Sequence, residues 1–333
     1  MMQTWTSAVW RSEAFAAELR AFVTAAVGEP EVFEPLKIRP WSAVWRVEAG
    51  GSVYFAKQNC PGQAHEAGLV AVLARLAPEY VVPVVAADPG RDLLLTADLG
   101  RTLAELGGDH DVDTWCRIVR DAALLQRAVV SHVDQLGLTE MPPEATPAYV
   151  GDAIGRLGAL PHDDPRRLGE DVARRLCALM PTIERWSDDV ADLDLPLTLN
   201  HNDLHGANVV ATNGPEVPLR FFDFGDAVAT EPLGSLFIPL AVCAADLGAG
   251  PDDLRLRRIA DAALEVWTDL APARAMRAAL PAALQLARVA RVESWRRCVR
   301  TMTTEERAEF GSAPAERLAT LVADPPVGHL PPM

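Results

Sequence analysis

HNDLHGAN at residues 201–208, followed by FFDFGD at residues 221–226, decides the reading of this chain. Both segments lie in a β-like island spanning residues 197–223, with Asn213-Gly214-Pro215 as the turn between its strands. The island holds the densest polar cluster in the sequence: His201, Asn202, Asp203, His205 and Asn208, then Asp223 and Asp226 behind the apolar run at residues 219–222. Two strands flanking a short loop bring Asp203, Asn208 and Asp223 to one end of a hairpin. Oxygen-bearing side chains without sulfur suit a hard cation such as magnesium, which is held by one or two carboxylates plus substrate phosphates. Any one of these residues is equally a turn former or cap facing water; the ordered set points to chemistry.

On the N-terminal side the chain reads as strand-rich. Residues 43–49 and 52–58 are β-leaning and joined at Gly50-Gly51, a hairpin turn signal. A helix is expected at residues 63–76, with Pro61-Gly62 as its start and Leu69, Val72, Leu73 and Leu76 at helical spacing. Apolar runs at residues 80–86 and 92–96 flank the turn Asp88-Pro89-Gly90, and a further helix is expected at residues 12–27. From about Gly100 the texture turns helical, with segments at roughly 112–135, 165–192, 231–247, 252–271, 274–300 and 303–322. The expectation is an α+β, bilobal protein: a nucleotide-binding lobe over residues 1–98 and a mainly helical lobe over 99–333, ending in a loose Pro-rich tail after Ala323.

The charge balance, 31 basic against 46 acidic residues, gives a net of -15 and opposes binding to nucleic acid or an anionic membrane. Residues 1–98 carry 8 basic and 11 acidic residues, so the remaining 23 and 35 place most of the acidity in the helical part. No apolar run is long enough to cross a bilayer and no basic-then-apolar leader opens the chain, so the expected location is cytoplasmic. The five cysteines, Cys60, Cys116, Cys177, Cys243 and Cys298, are scattered and form no Cys-x-x-Cys pair, which reads as reduced thiols in a core. Of the 31 basic residues 29 are Arg, so the two lysines stand out: Lys37 reads as surface, and Lys57 lies on an apolar strand.

HNDLHGAN followed by FFDFGD, with a 15-residue gap between Asn208 and Asp223, resembles the catalytic-loop and metal-loop pair of the aminoglycoside phosphotransferase and choline kinase group, small-molecule relatives of the protein kinases. The resemblance implies a protein-kinase-like fold with ATP between the lobes and the γ-phosphate passing to a hydroxyl of a small molecule. Asp203 then matches the Asp that accepts or orients the hydroxyl proton, Asn208 and Asp223 match the magnesium ligands, and His201 orients the loop. Lys57 matches the strand lysine that contacts the α- and β-phosphates, with Glu66 as its ion-pair partner. Thr96 and Asp98 match the link whose backbone reads the adenine edge. No glycine-rich loop is present; residues 41–46 stand there, with Ser42 as a phosphate contact. Asp226 approaches metal or substrate, or caps a turn.

Few residues separate Gly225 from Glu231-Pro232, leaving no room for an activation segment or peptide platform, so a small soluble acceptor is favoured over a protein. The helices after 231, where relatives of this fold carry their acceptor pocket, include Asp252, Asp253, Asp261, Glu265, Asp269, Glu293, Glu305 and Glu306, which suit a cationic acceptor such as an aminoglycoside, though most of them read first as a soluble acidic surface. Trp267 and Trp295 read as core. The oligomeric state, monomer or homodimer, stays open. Two other readings compete: a metal-dependent hydrolase built on His201, Asp203 and His205, which alternate as H-x-D-x-H, and a nucleotide-binding pseudokinase that has lost transfer.

Overall fold

The computed structural model describes residues 5–108, 111–211, 214 and 216–329. Five antiparallel strands make the smaller lobe: β1 (Val32–Ile38), β2 (Ser42–Ala49), β3 (Ser52–Asn59), β4 (Val84–Asp88) and β5 (Leu93–Ala97), in the spatial order β1-β2-β3-β5-β4. Gly50 and Gly51 both take positive φ, +57° and +76°, which a two-residue hairpin turn with native strand twist requires. That turn fixes the register so that Val44 lies opposite Lys57. Alternation then places Ala43, Trp45, Val47 and Ala56 on one face, fully buried, and Ser42, Val44, Lys57 and Asn59 on the other.

The buried face is covered by α1 (Glu13–Val27), whose Ser12 cap accepts a hydrogen bond from the Phe15 N–H at 3.2 Å. Phe15, Leu19 and Val23 recur every four residues and pack with Trp10 against that face, Phe15 lying 5.4 Å from the Trp45 ring. Each such burial is worth about 1.5–3 kcal/mol. The sheet's other face carries Lys57.

The larger lobe contains α3 (Val112–Val129), α4 (Thr146–Gly158), α5 (Glu170–Ala191), α6 (Phe237–Leu247), α7 (Leu254–Leu264), α8 (Ala273–Val299), α9 (Thr304–Phe310) and α10 (Ala313–Ala319); β6 (Thr198–Asn200) and β7 (Val209–Val210) precede β8 (Arg220–Phe221) and β9 (Val228–Thr230). The island is two ladders, β7 with β8 and β6 with β9, and so holds one strand pair more than its sequence pattern indicates. The expected turn at Asn213 and Pro215 lies outside the described residues. The α4 helix escapes a periodicity reading because Pro147, Gly151, Gly155 and Gly158 depress helix propensity; Val150 and Ala153, buried in the main core, hold it.

Between the lobes, α2 (Glu66–Leu76) starts three residues later than its sequence signal, because residues 61–65 form turns. Gly62 sits there against the end of α8, where a β-carbon would come within 2.2 Å of the Arg297 carbonyl oxygen. The α2 residues Ala67, Leu69, Val70 and Leu73 belong to the helical lobe's core, whereas Cys298, Val299 and Met302 join the small lobe's core. The two cores therefore interlock across the boundary at residue 98.

Two expectations are corrected. The tail is packed through residue 329: Val327 is buried, the Ala323 and Asp324 carbonyls accept from Gln285 and Arg288 at 2.7 Å, and the Gly328 N–H donates to Pro251. Of the cysteines only Cys60, Cys243 and Cys298 are buried, Cys177 being exposed.

Candidate active site

Lys57 enters the interlobe cleft from β3 and its Nζ meets two carboxylates, Glu66 Oε2 at 2.6 Å and Asp223 Oδ1 at 2.5 Å. Burial alone would lower the ammonium's pKa, but Asp223 and Glu66 outweigh it and raise it, so the lysine is a fixed positive charge. Glu66 is 1% exposed and also accepts from Asn59 Nδ2 and from the Phe224 N–H at 2.9 Å. It thus ties β3, α2 and the 223–226 loop together. Asp92, which the sequence did not single out, supports this corner by accepting from the Asn59 and Ala67 N–H groups; burial pushes its carboxyl up to about 6.

The 201–208 loop and the 223–226 loop are clamped face to face. His201 Nε2 bonds the Phe222 carbonyl at 2.9 Å and the ring lies 4.6 Å from Phe224, a positioning role with no reach to a substrate. Asn202 and Asp223 hold φ of +61° and +65°, left-handed conformations that Asn and Asp tolerate best among residues with a side chain. Strain of this kind persists where surrounding contacts over-determine it, and here they do. Asn202 Nδ2 bonds the Asp226 and Ala290 carbonyls, and Asp223 is held by Lys57. Asn208 Nδ2 donates to the Asp203 carbonyl at 2.9 Å, which leaves its Oδ1 as the group for a ligand.

Asp203 lies 3.6 Å from His205 Nε2 and 3.2 Å from Arg291 Nη1. Burial pushes its carboxyl up, yet the hydrogen bond from His205 and the charge of Arg291 win and hold it down at about 2. Arg291 also lies 3.3 Å from Asp226 and donates to the Asn202 carbonyl. Asp226, left open by the sequence, is occupied by Arg291, Ser294 and Gln63, which makes it a clasp between α8 and the loop before α2. Arg291 was legible only as an arginine inside the otherwise apolar stretch 279–292, which it shares with Gln285 and Arg288. Replacing it with Ala strands two carboxylates. We expect a loss of about 3 kcal/mol in unfolding free energy and of roughly tenfold or more in kcat, with partial recovery in Arg291→Lys; denaturant titration and initial rates check both.

The remaining site residues are placed less uniformly. Ser42 opens β2 on the Lys57 face, behind a loop anchored by Trp41 against Trp295 and Phe310, so aromatic packing onto the helical lobe stands where a glycine loop is absent. Trp295 is therefore a lobe junction, while Trp267 is buried in the core. Thr96 pairs with Phe55 on β5. The Asp98 N–H already donates to the Val53 carbonyl at 3.0 Å and its side chain accepts from the Gly100 N–H, so that N–H cannot read a base while β3 stays paired.

A cavity of about 460 Å³ opens beside Asp203 and His205, walled by α6, α8, α10 and the tail. None of the eight acidic residues expected around a cationic acceptor lines it. Asp252, Asp261, Asp269 and Glu293 are paired with Arg257, Arg277, Arg127 and Arg296 respectively, and Asp253 and Glu306 cap helices. These eight residues therefore bring no negative charge to the lining of this cavity.

The donor set fits magnesium in the manner of a nucleotide site: one carboxylate, Asp223, and one amide oxygen, Asn208, with phosphates to complete the shell. It does not fit the hydrolase reading. His201 is committed to Phe222, and among the described residues no three His, Cys, Asp or Glu side chains converge to hold a metal ion. Fold and site together define a bilobal, protein-kinase-like α+β architecture. No protein-family model and no curated protein matches the sequence. Among solved structures the chain is similar to a Plasmodium vivax ethanolamine kinase (TM-score 0.62, 12% identity, 90% of this chain and 85% of that one). It is also similar to an amicoumacin kinase in complex with AMP-PNP, Ca2+ and Ami (0.61, 15%, 97% of each). A thermostable mutant of an aminoglycoside phosphotransferase matches as well (0.55, 13%, 91% and 98%). At these identities the likeness establishes the fold.

Among the described residues no helix is long and apolar enough to cross a membrane.

Proposed function

We propose that this protein is an ATP- and magnesium-dependent phosphotransferase that moves the γ-phosphate to a hydroxyl of a small molecule. The observation that carries the reading is the convergence of Lys57, Glu66 and Asp223 in one ion-paired group, beside the Asp203–Asn208 loop, across 166 residues of sequence. The bound AMP-PNP of the amicoumacin kinase supports a nucleoside triphosphate in the cleft. Phosphoryl transfer has a loose transition state and needs positioning and charge neutralisation more than a strong base.

Lys57 orients the α- and β-phosphates, while Asn208 and Asp223 would hold magnesium, which would supply neutralisation of phosphate charge. Asp203, ionised through the neutral range, accepts a hydrogen bond from the acceptor hydroxyl and aims its oxygen at the γ-phosphorus. The new O–P bond forms as the bond to the β-phosphate oxygen breaks, and the hydroxyl proton passes to Asp203 late in that step. A carboxyl held near 2 suits this orienting role, since early proton abstraction would call for a stronger base.

The test is a nucleotide-consumption screen over aminoglycosides, other antibiotics, amino sugars, choline and homoserine, alongside calorimetry of ATP with and without magnesium. Acceptor-dependent ADP formation supports the reading. Absence of nucleotide binding by the wild-type protein would overturn it.

A further inference from the structure

The cavity beside Asp203 has an uncompensated basic end. Its polar lining includes Arg288, Arg291 and Arg317 against Asp203 and Asp324. Arg291 is matched by Asp203 and Asp226. That leaves two guanidinium groups facing one carboxylate. Arg288, 8% exposed, donates to two backbone carbonyls, those of Thr320 and Asp324 at 2.8 and 2.7 Å, and its guanidinium lies over the Phe237 ring, 5.1 Å from its centroid; its buried Nε has no hydrogen-bond partner. The carboxylate whose charge acts on Arg288 is Asp324, which also lies 3.8 Å from His329 Nδ1.

A second observation agrees. Six of the eight arginines with a shifted pKa, Arg91, Arg166, Arg255, Arg277, Arg291 and Arg296, are raised by carboxylate partners. The other two line this cavity. Arg288 is pushed down to about 10 by burial, and Arg317 is lowered by burial and by the charge of Arg291. For both, burial outweighs the carboxylates nearby, Asp324 for Arg288 and Glu316 and Asp203 for Arg317. The wall on the α6 side is apolar, formed by Ile238, Val242 and Phe237, whose ring packs against the Arg288 guanidinium.

Resting on the phosphotransferase reading, we infer that the acceptor is an amphipathic hydroxycarboxylate: its carboxylate docks between Arg288 and Arg317, its apolar body lies on the α6 wall, and its hydroxyl reaches Asp203. A monoanion is chosen over a phosphate monoester because two arginines less Asp324 leave one positive charge. The volume, about 460 Å³, lies in the range of small-molecule sites.

The experiment titrates the full-length protein, with and without MgADP, using 6-hydroxyhexanoate, its amide, 6-aminohexan-1-ol and glycerol 3-phosphate, followed by calorimetry. The acid should bind roughly tenfold or more tightly than the amide and the amino alcohol, and Arg317→Glu should erase that preference while leaving MgADP affinity unchanged. Arg317, desolvated on its cavity side yet exposed over the rest of its side chain, ties no other segment down, so the substitution spares the fold, whereas Arg288 also holds the tail. Equal or tighter binding of the amino alcohol, failure of the acid to bind at millimolar concentration, or retention of the preference in Arg317→Glu overturns the inference. Tighter binding of glycerol 3-phosphate overturns the monoanion assignment. Failure of the phosphotransferase reading shows separately, as a wild-type protein that does not bind MgADP whatever the acid does.

Discussion

Asp203→Asn should lower kcat by about 1,000-fold while leaving the affinity for MgATP within about twofold of wild type. The separation follows from the site's layout. Asp203 contacts His205 and Arg291 and borders the cavity of about 460 Å³, whereas Lys57, Glu66 and Asp223 form a separate ion-paired group in the interlobe cleft. An amide of the same shape keeps the loop, because the bond from Asn208 goes to the Asp203 backbone carbonyl and not to its side chain. What it loses is the negative charge that orients the hydroxyl and receives its proton. The pH response sharpens the test. With the carboxyl held at about 2, below its ordinary 3.8, the charged form persists as pH falls and the ion pair's stabilisation is lost only between those two values. Acidifying the wild type to pH 4 should therefore not reproduce the variant's loss. Single-turnover kinetics on the phosphorylated acceptor, with calorimetry of MgATP, measures both halves, and near-wild-type transfer by Asp203→Asn would remove Asp203 from the chemistry.

How much of this was legible in the sequence depends on the range of the interaction. The hairpin at Gly50-Gly51 is set by local backbone chemistry and was readable to within a residue. Lys57 and the two loops were readable as an ordered set, since each keeps its residue types within a short window. Arg291 was not. Its contacts with Asp203 and Asp226 join α8 to loops 88 and 65 residues away, and only the packed fold brings them together. The same holds for β9, three residues whose strand character comes from pairing with β6, and for α4, whose glycines argue locally against the helix that packing enforces. The placement of the acidic residues likewise depends on the packed fold. Of the acids on the helices after residue 231, Asp252, Asp261 and Asp269 meet arginines at the surface, while the cavity beside Asp203 is lined by Arg288, Arg291 and Arg317 together with Asp203 and Asp324.

Asp223→Ala should abolish the magnesium dependence of nucleotide binding, with the affinity for MgATP falling roughly tenfold or more and the affinity for metal-free ATP unchanged or improved. The opposite signs come from the carboxylate's two electrostatic relations. Toward magnesium it is a ligand, so its loss weakens the metal-bridged complex. Toward bare triphosphate it is a like charge, and it also pairs with Lys57 at 2.5 Å. Removing it lifts the repulsion and leaves Lys57 paired with Glu66 alone, freer to meet a phosphate. Misfolding would weaken both complexes, so the divergence identifies the role. Backbone strain needs its own control, because residue 223 sits at φ +65°, where Ala costs about 1 kcal/mol or more that Asp and Asn avoid in part. Asp223→Asn keeps that conformation and one oxygen while losing the charge. It should retain thermal stability closer to wild type than Ala does, yet share the loss of magnesium dependence. Calorimetric titration of ATP into wild type, Asp223→Ala and Asp223→Asn, each with magnesium and with a chelator, reads every term. If both variants bound MgATP as the wild type does, Asp223 would be a partner of Lys57 only, and the metal would have to be held elsewhere.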